Sequence, residues 1–141
     1  LNSLIPNEIL KLTIKNMTKK KFGRILNISS IGVKYGGGEN SYEYSLSKHL
    51  LEFYPKYLRN LSKLNILSNI LRVGVTKTKI HKKIKNKNLK FRINLIPMKR
   101  AADPSEIADM IYYLASDNNT FITNENIAIS GGEWNQSRTS K

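Results

Sequence analysis

The sequence of 141 residues predicts one α/β domain with a parallel sheet, because short apolar runs alternate along it with amphipathic helical patterns. Three apolar runs have the length of buried strands, at 23–29, 65–73 and 126–130. Three stretches have helical spacing, at 6–20, 42–61 and 103–116. Strands connected by helices run parallel, with helices packed on the sheet, which predicts a three-layer α/β/α arrangement.

The first two helices are predicted from apolar spacing. The helix at 6–20 begins with Pro6, which suits a first turn, and its apolar face is predicted from Ile9, Leu12, Thr13 and Asn16 or Met17. The helix at 42–61 contains Pro55, which we expect as a kink.

The third helix has the strongest signal in the chain. Asp103 suits the N-cap, Pro104 the first turn, and Glu106 stands three residues after Asp103, as in a capping box. Its apolar stripe is Ile107, Met110, Ile111 and Leu114. The stretch SIGVKYGGGENS is predicted to be a loop, as is 74–91 apart from a short basic helix.

Composition excludes several classes of protein. The chain has no cysteine and therefore no disulfide or thiolate metal site. It has no apolar run of the ~20 residues that a membrane-spanning helix needs, and no signal peptide is evident in its first residues. These features predict a cytoplasmic protein without membrane association. His49 and His81 are not expected to bind metal.

The net charge of +14 comes from one third of the chain. Residues 53–102 contain fourteen Lys and Arg and no Asp or Glu, and eight of these cations lie at 77–92. A solvated lysine-rich segment is favoured over a binding patch. Nucleic acid is not the expected partner, because the stretch 77–92 has a single aromatic residue, Phe91, for stacking on bases.

Tyr44 and Lys48 are four residues apart in the second predicted helix and therefore share a face, unlike Tyr42. An ammonium near a phenol lowers the phenol's pKa from about 10 and so makes it a usable proton donor and acceptor. Interconversion of an alcohol and a carbonyl requires such a group. Ser29 and Ser30 end the preceding strand, where ligands bind in an open parallel sheet.

Five stretches resemble the short-chain dehydrogenase/reductase family in order and spacing: GRILNISS, YSLSK, NILRVGVTKT, PMKRAADPSEIADMIYYLASD and FITNENIAISGG. The resemblance covers residues 2–132 and implies the last three strands of a Rossmann-type, doubly wound sheet. It also implies hydride transfer between NAD or NADP and a carbonyl or alcohol substrate. The family's catalytic Asn, Ser, Tyr and Lys match Asn2, Ser30, Tyr44 and Lys48, with Ser29 as an alternative serine.

The resemblance also implies cofactor contacts after the second strand, at Gly74, Thr76 and Thr78, in addition to Tyr44 and Lys48. Val73 stands where the family has proline. Trp134 is expected at an interface or at the mouth of the substrate site. The basic stretch 77–92 falls where the family has a substrate-covering loop, which would suit an acidic or phosphorylated substrate.

The family's first strand and glycine-rich pyrophosphate turn would precede this sequence, since no glycine precedes Gly23. Residues 1–141 are therefore expected to be an amino-terminally truncated single domain, which alone would bind cofactor poorly. The resemblance implies that the intact enzyme is a homodimer or homotetramer through the first two helices. The alternative is a non-catalytic remnant or a basic module that binds nucleic acid or an acidic partner.

Overall fold

The computed structural model describes residues 3–53, 56–79 and 89–135. Three strands form one parallel sheet in the order β1, β2, β3, with β1 at Gly23–Ser30, β2 at Ile66–Val73 and β3 at Asn126–Ile129. The predicted strands and their parallel direction are confirmed.

Six helices accompany the sheet in the described part of the chain. They are α1 at Leu4–Lys20, α2 at Gly32–Tyr35, α3 at Tyr42–Leu51, α4 at Lys56–Asn60, α5 at Leu89–Asn94 and α6 at Pro104–Ala115. Short 3-10 turns follow at Leu61–Leu64 and Glu133–Asn135.

The sheet lies between two helical layers, as predicted. Leu26 of β1 faces α6 and joins a core of Leu71, Ile107 and Leu114. The alternate residues Asn27 and Ser29 face the other way and bond to the carboxyl end of α3. The middle strand β2 is buried from Ile66 to Leu71, since it has neighbours on both edges and both faces.

The predicted helix at 42–61 is wrong in its extent. The α3 helix ends at Leu51, and the next described helix begins at Lys56; residues 54 and 55, including Pro55, lie outside the described part. The Glu52 side chain is held by the sheet, where its carboxylate accepts hydrogen bonds from Ser29 and Arg72. The predicted glycine-rich loop also contains a short helix, α2.

The predicted apolar face of α1 is wrong as well. Ile9 is 54% exposed and Leu12 is 79% exposed. The helix instead turns four partly buried residues toward the protein, of which only Met17 belonged to the predicted face: Pro6, Leu10, Ile14 and Met17. Both faces of α1 carry apolar residues, so spacing alone could not identify the one that packs here.

In the described ranges, no helix combines the length and apolar character that crossing a bilayer demands. Most of the predicted basic loop, residues 80–88 with His81, falls outside those ranges. Its carboxyl end is helical, as α5.

Candidate active site

Tyr44 and Lys48 lie one turn apart on α3. The Lys48 Nζ is 5.8 Å from the centre of the Tyr44 ring, within the range of a cation–π contact. The same Nζ donates a hydrogen bond to the Ile28 carbonyl oxygen of β1 at 2.7 Å. Burial lowers the pKa of Lys48, while 46% of Tyr44 is exposed. The pair therefore lies where a reacting molecule can reach the phenol.

Ser30 is the last residue of β1 and is partly buried. Its Oγ accepts a hydrogen bond from the Gly32 N–H at 3.0 Å. A Cβ placed on Gly32 would lie 3.2 Å from the Ser30 Oγ and 3.5 Å from the Ser45 Oγ, so both hydroxyls approach this glycine. The structure thus brings Ser30 to the start of α3, where Ser45 adjoins Tyr44.

Ser29, the alternative serine, has a different environment. It is 3% exposed, and its Oγ donates to the Glu52 Oε1 at 2.6 Å. Its hydroxyl is therefore committed to a buried carboxylate and is not available to a substrate. Asn2 lies outside the described residues.

Gly74, Thr76 and Thr78 follow β2 as an extended segment. A Cβ on Gly74 would lie 2.9 Å from the Ser130 Cα, so the segment passes close to the end of β3. The Thr76 hydroxyl donates to the Gly74 carbonyl oxygen at 3.2 Å, and its backbone forms a bridge to Ala102. Thr78 is exposed, and its Oγ1 is 3.5 Å from the Thr76 carbonyl oxygen.

A charged cluster beside the site involves Glu52 and Arg72. The carboxylate of Glu52 accepts from the Arg72 Nε at 2.9 Å and from its Nη2 at 2.6 Å. The side chains of Arg72 and Glu52 are 16% and 7% exposed. Burial raises the pKa of Glu52, but the bonds from Arg72 and Ser29 outweigh it and leave that pKa below its ordinary value.

Trp134 extends this cluster. Its ring centre is 4.3 Å from the Arg72 guanidinium carbon and 5.4 Å from the Lys34 Nζ. Lys34 also donates to the Trp134 carbonyl oxygen. Trp134 therefore connects β2 to α2, the helix between Ser30 and Tyr44.

The Glu52–Arg72 pair was not predicted from the sequence, although two signals in the sequence point to it. Arg72 is a charged residue in an apolar strand, and such a residue needs a partner. Its segment, 53–102, contains no acid, and Glu52 is the first acid before it.

His49, four residues from Ser45, has its Nε2 2.9 Å from the Val33 carbonyl oxygen.

A pocket of about 530 Å³ in the described part has Glu52 of the charged cluster in its wall. Its lining consists of Glu52, Phe53, Arg59, Asn124, Glu125 and Asn126. It includes none of the predicted site residues, and we assign it no role.

The residues present suit the nicotinamide end of a dinucleotide. Lys48 of α3 offers an ammonium that bonds to the Ile28 carbonyl oxygen of β1, and after β2 Thr78 offers an exposed hydroxyl and Gly74 a backbone without a side chain. Ligands of open parallel sheets bind beyond the carboxyl ends of the strands.

A model of the family described as enoyl-(acyl carrier protein) reductase matches residues 6–133. The chain belongs to the short-chain dehydrogenase/reductase family. A 3-oxoacyl-[acyl-carrier-protein] reductase of Buchnera aphidicola subsp. Schizaphis graminum is 33% identical over 125 residues, which are 88% of this chain and 51% of the relative. Acetoacetyl-CoA reductase of Acinetobacter sp. is 32% identical over 117 residues, 82% of this chain and 47% of the relative.

Among solved structures of the short-chain dehydrogenase/reductase family, ElxO with NADP bound superimposes with a TM-score of 0.83 and 29% identity, over 96% of this chain and 56% of ElxO. A 4-hydroxyisoleucine dehydrogenase mutant complexed with NADH and succinate superimposes with a TM-score of 0.79 and 29% identity, over 94% of this chain and 56% of that protein. This chain therefore spans about half the length of the relatives that it matches.

Proposed function

We propose that this chain carries the acid–base centre of an NAD(P)-dependent oxidoreductase, with Tyr44 as proton donor, Lys48 as its partner and Ser30 as the hydrogen-bond donor to the substrate oxygen. The observation that carries the proposal is the Tyr44–Lys48 contact of 5.8 Å beside the end of β1. Relatives named as reductases support it. They do not favour the alternative of a basic binding module.

In the proposed reduction, Lys48, Gly74 and Thr78 would hold the nicotinamide, which when bound would supply the hydride for the carbonyl carbon. The Tyr44 hydroxyl gives its proton to the carbonyl oxygen as negative charge develops there, and the product is an alcohol. The ammonium of Lys48 favours the phenolate that remains. The Ser30 hydroxyl donates a hydrogen bond to the same oxygen and so stabilises its charge in the transition state.

We propose a 3-oxoacyl thioester as substrate class, because the relatives are named as reductases of 3-oxoacyl-[acyl-carrier-protein] and of acetoacetyl-CoA. Coenzyme A carries phosphate groups, and the excess of Lys and Arg at 53–102 would attract such a substrate. Acetoacetyl-CoA is therefore a suitable first test substrate.

We further propose assembly into a dimer or tetramer through α1 and α3. Both helices expose apolar side chains, including Ile9 and Leu12 of α1 and Tyr42, Leu46 and Leu50 of α3. On α3 these residues lie opposite the stripe of Tyr44 and Lys48. Exposed apolar faces of this kind suit a subunit interface.

The test compares Tyr44→Phe with Tyr42→Phe in the protein that contains this chain. NADPH and NADH oxidation with acetoacetyl-CoA is followed by absorbance. Loss of the Tyr44 hydroxyl is expected to lower kcat by about 100-fold or more, the contribution of a general acid. Tyr42 lies on the other face of α3, so its variant should keep wild-type kcat. Full activity in Tyr44→Phe would refute the proposal.

A further inference from the structure

Lys48 and Glu52 are four residues apart on one face at the end of α3, a spacing at which opposite charges on a helix attract each other. Each is bound elsewhere. Lys48 donates to the Ile28 carbonyl oxygen at 2.7 Å, and Glu52 accepts from Arg72 and Ser29. The nearest acid on the face of the proposed catalytic lysine is thus held by a second cation.

We propose that Arg72 is a positioning residue for the Tyr44–Lys48 pair, because it holds the Glu52 carboxylate that would otherwise bind Lys48. The ammonium is then left to act on Tyr44. The proposed catalytic consequence rests on the function proposed above, whereas the contacts of Arg72 and Ser29 with Glu52 do not.

The carboxylate site is formed by two neighbouring strands. Ser29 of β1 and Arg72 of β2 are partners in the parallel register, and both donate to Glu52. Arg72 uses Nε and Nη2 to reach both carboxylate oxygens, the strongest geometry for such a pair. Its guanidinium is stacked on Trp134, which restricts its movement.

Without Arg72, the Glu52 carboxylate would be a buried charge without its cation, which is costly. Lys48 is the cation one turn earlier on the same face of α3. The imidazole of His49 has its Nε2 2.9 Å from the Val33 carbonyl oxygen, and its charge also contributes to lowering the pKa of Glu52. Rotation of Glu52 toward Lys48 would restore a charge pair, raise the pKa of Lys48 and draw the ammonium away from Tyr44.

The experiment uses Arg72→Met, Glu52→Gln and the double variant of both, in the protein that contains this chain. The first readout is the pKa of Lys48, from NMR titration of its side-chain resonances, and it needs neither cofactor nor substrate. We expect this pKa to rise in Arg72→Met and to return to the wild-type value in the double variant, which has no carboxylate to compete.

The second readout is reductase activity. We expect kcat to fall about tenfold or more in Arg72→Met, with a smaller change in KM, and to recover in the double variant. If Arg72 had only a structural role, kcat would stay low in the double variant, because that variant lacks both halves of the ion pair. If Arg72→Met fails to fold, Arg72→Gln takes its place, because it also removes the cation from Glu52 but keeps a polar side chain beside the carboxylate.

An unchanged Lys48 pKa in Arg72→Met would overturn the inference. So would a double variant whose kcat is as low as that of Arg72→Met. If the pKa of Lys48 rises in Arg72→Met as expected but the wild-type protein oxidises neither NADPH nor NADH, the proposed function fails, while the inference that Arg72 keeps Glu52 away from Lys48 stands.

Discussion

At the scale of single residues, Gly74 gives a direct test of the close approach between β2 and β3. A Cβ at this position would lie 2.9 Å from the Ser130 Cα and 3.0 Å from the Ile129 carbonyl oxygen, both backbone atoms that cannot rotate away. Gly74→Ala should therefore lower the free energy of unfolding by about 1–3 kcal/mol, the usual cost of overpacking. Urea unfolding followed by circular dichroism measures it.

Gly38→Ala is the matched control for Gly74. A Cβ on Gly38 meets no atom within 4 Å, and this glycine is exposed. Its variant should stay within about 0.5 kcal/mol of the wild type. Equal losses of unfolding free energy in the two variants would mean that the ends of β2 and β3 lie farther apart than in the structure.

The sequence predicted Tyr44 and Lys48 from their spacing and Ser30 from the family resemblance, but it did not separate the roles of the neighbouring serines. Ser29 and Ser30 differ in the face of β1 from which they project, and Ser29 is bound by Glu52. That contact depends on where α3 ends and on Arg72, twenty residues later. A contact between elements of this kind has no local signature in the sequence.

At the scale of elements, the start of α6 predicts a dependence of stability on pH. Hydrogen bonds from Arg100 and from the Asp103 N–H lower the pKa of Glu106 to about 2. Because the folded pKa lies below the ordinary value, this stabilisation is present above about pH 4.5 and is lost as the pH falls toward 2. Glu106→Gln should remove this part of the pH dependence.

The measurement is the thermal midpoint of unfolding between pH 2 and 7. Asp109→Asn removes the same charge from the same helix, outside the Arg100–Glu106 pair, and should keep the wild-type slope below pH 4.5. A wild-type slope in Glu106→Gln would contradict the assignment. High salt should reduce the effect, because the pair is exposed to solvent.

The elements differ in how well the sequence predicted them, for physical reasons. The α6 helix has a capping residue, a first-turn proline and one apolar stripe, and its observed bounds agree with the prediction. The α3 helix has an apolar pattern that continues past its end. It ends at Leu51, four residues before Pro55, whose ring would clash with a helical carbonyl at that position, and Glu52 just beyond the end bonds to the sheet.

At the scale of the whole molecule, the parallel sheet was predictable because its strands are apolar runs that alternate with helices. The apolar side of α1 that packs on the sheet was not. Its two apolar faces compete, and the face predicted to pack is the exposed one. Which face of α1 packs on the sheet depends on the position of α1 beside β1 and on any partner that covers the other face.

The last prediction concerns that exposed face. Leu46 of α3 is 55% exposed and belongs to the stripe that we assign to the subunit interface. Burying a leucine contributes about 1.5–3 kcal/mol, and Leu46→Asp would also bury a charge at the interface. The variant should therefore weaken association by at least about tenfold. Light scattering after size-exclusion chromatography gives the mass of each variant.

Phe121→Asp, which places the same charge at a side chain that is 93% exposed beyond α6, should leave the assembly intact. Equal masses for Leu46→Asp and the wild type would exclude this stripe from the interface, whereas dissociation of Leu46→Asp alone would place α3 between subunits, with Tyr44 and Lys48 on the face turned away from the partner.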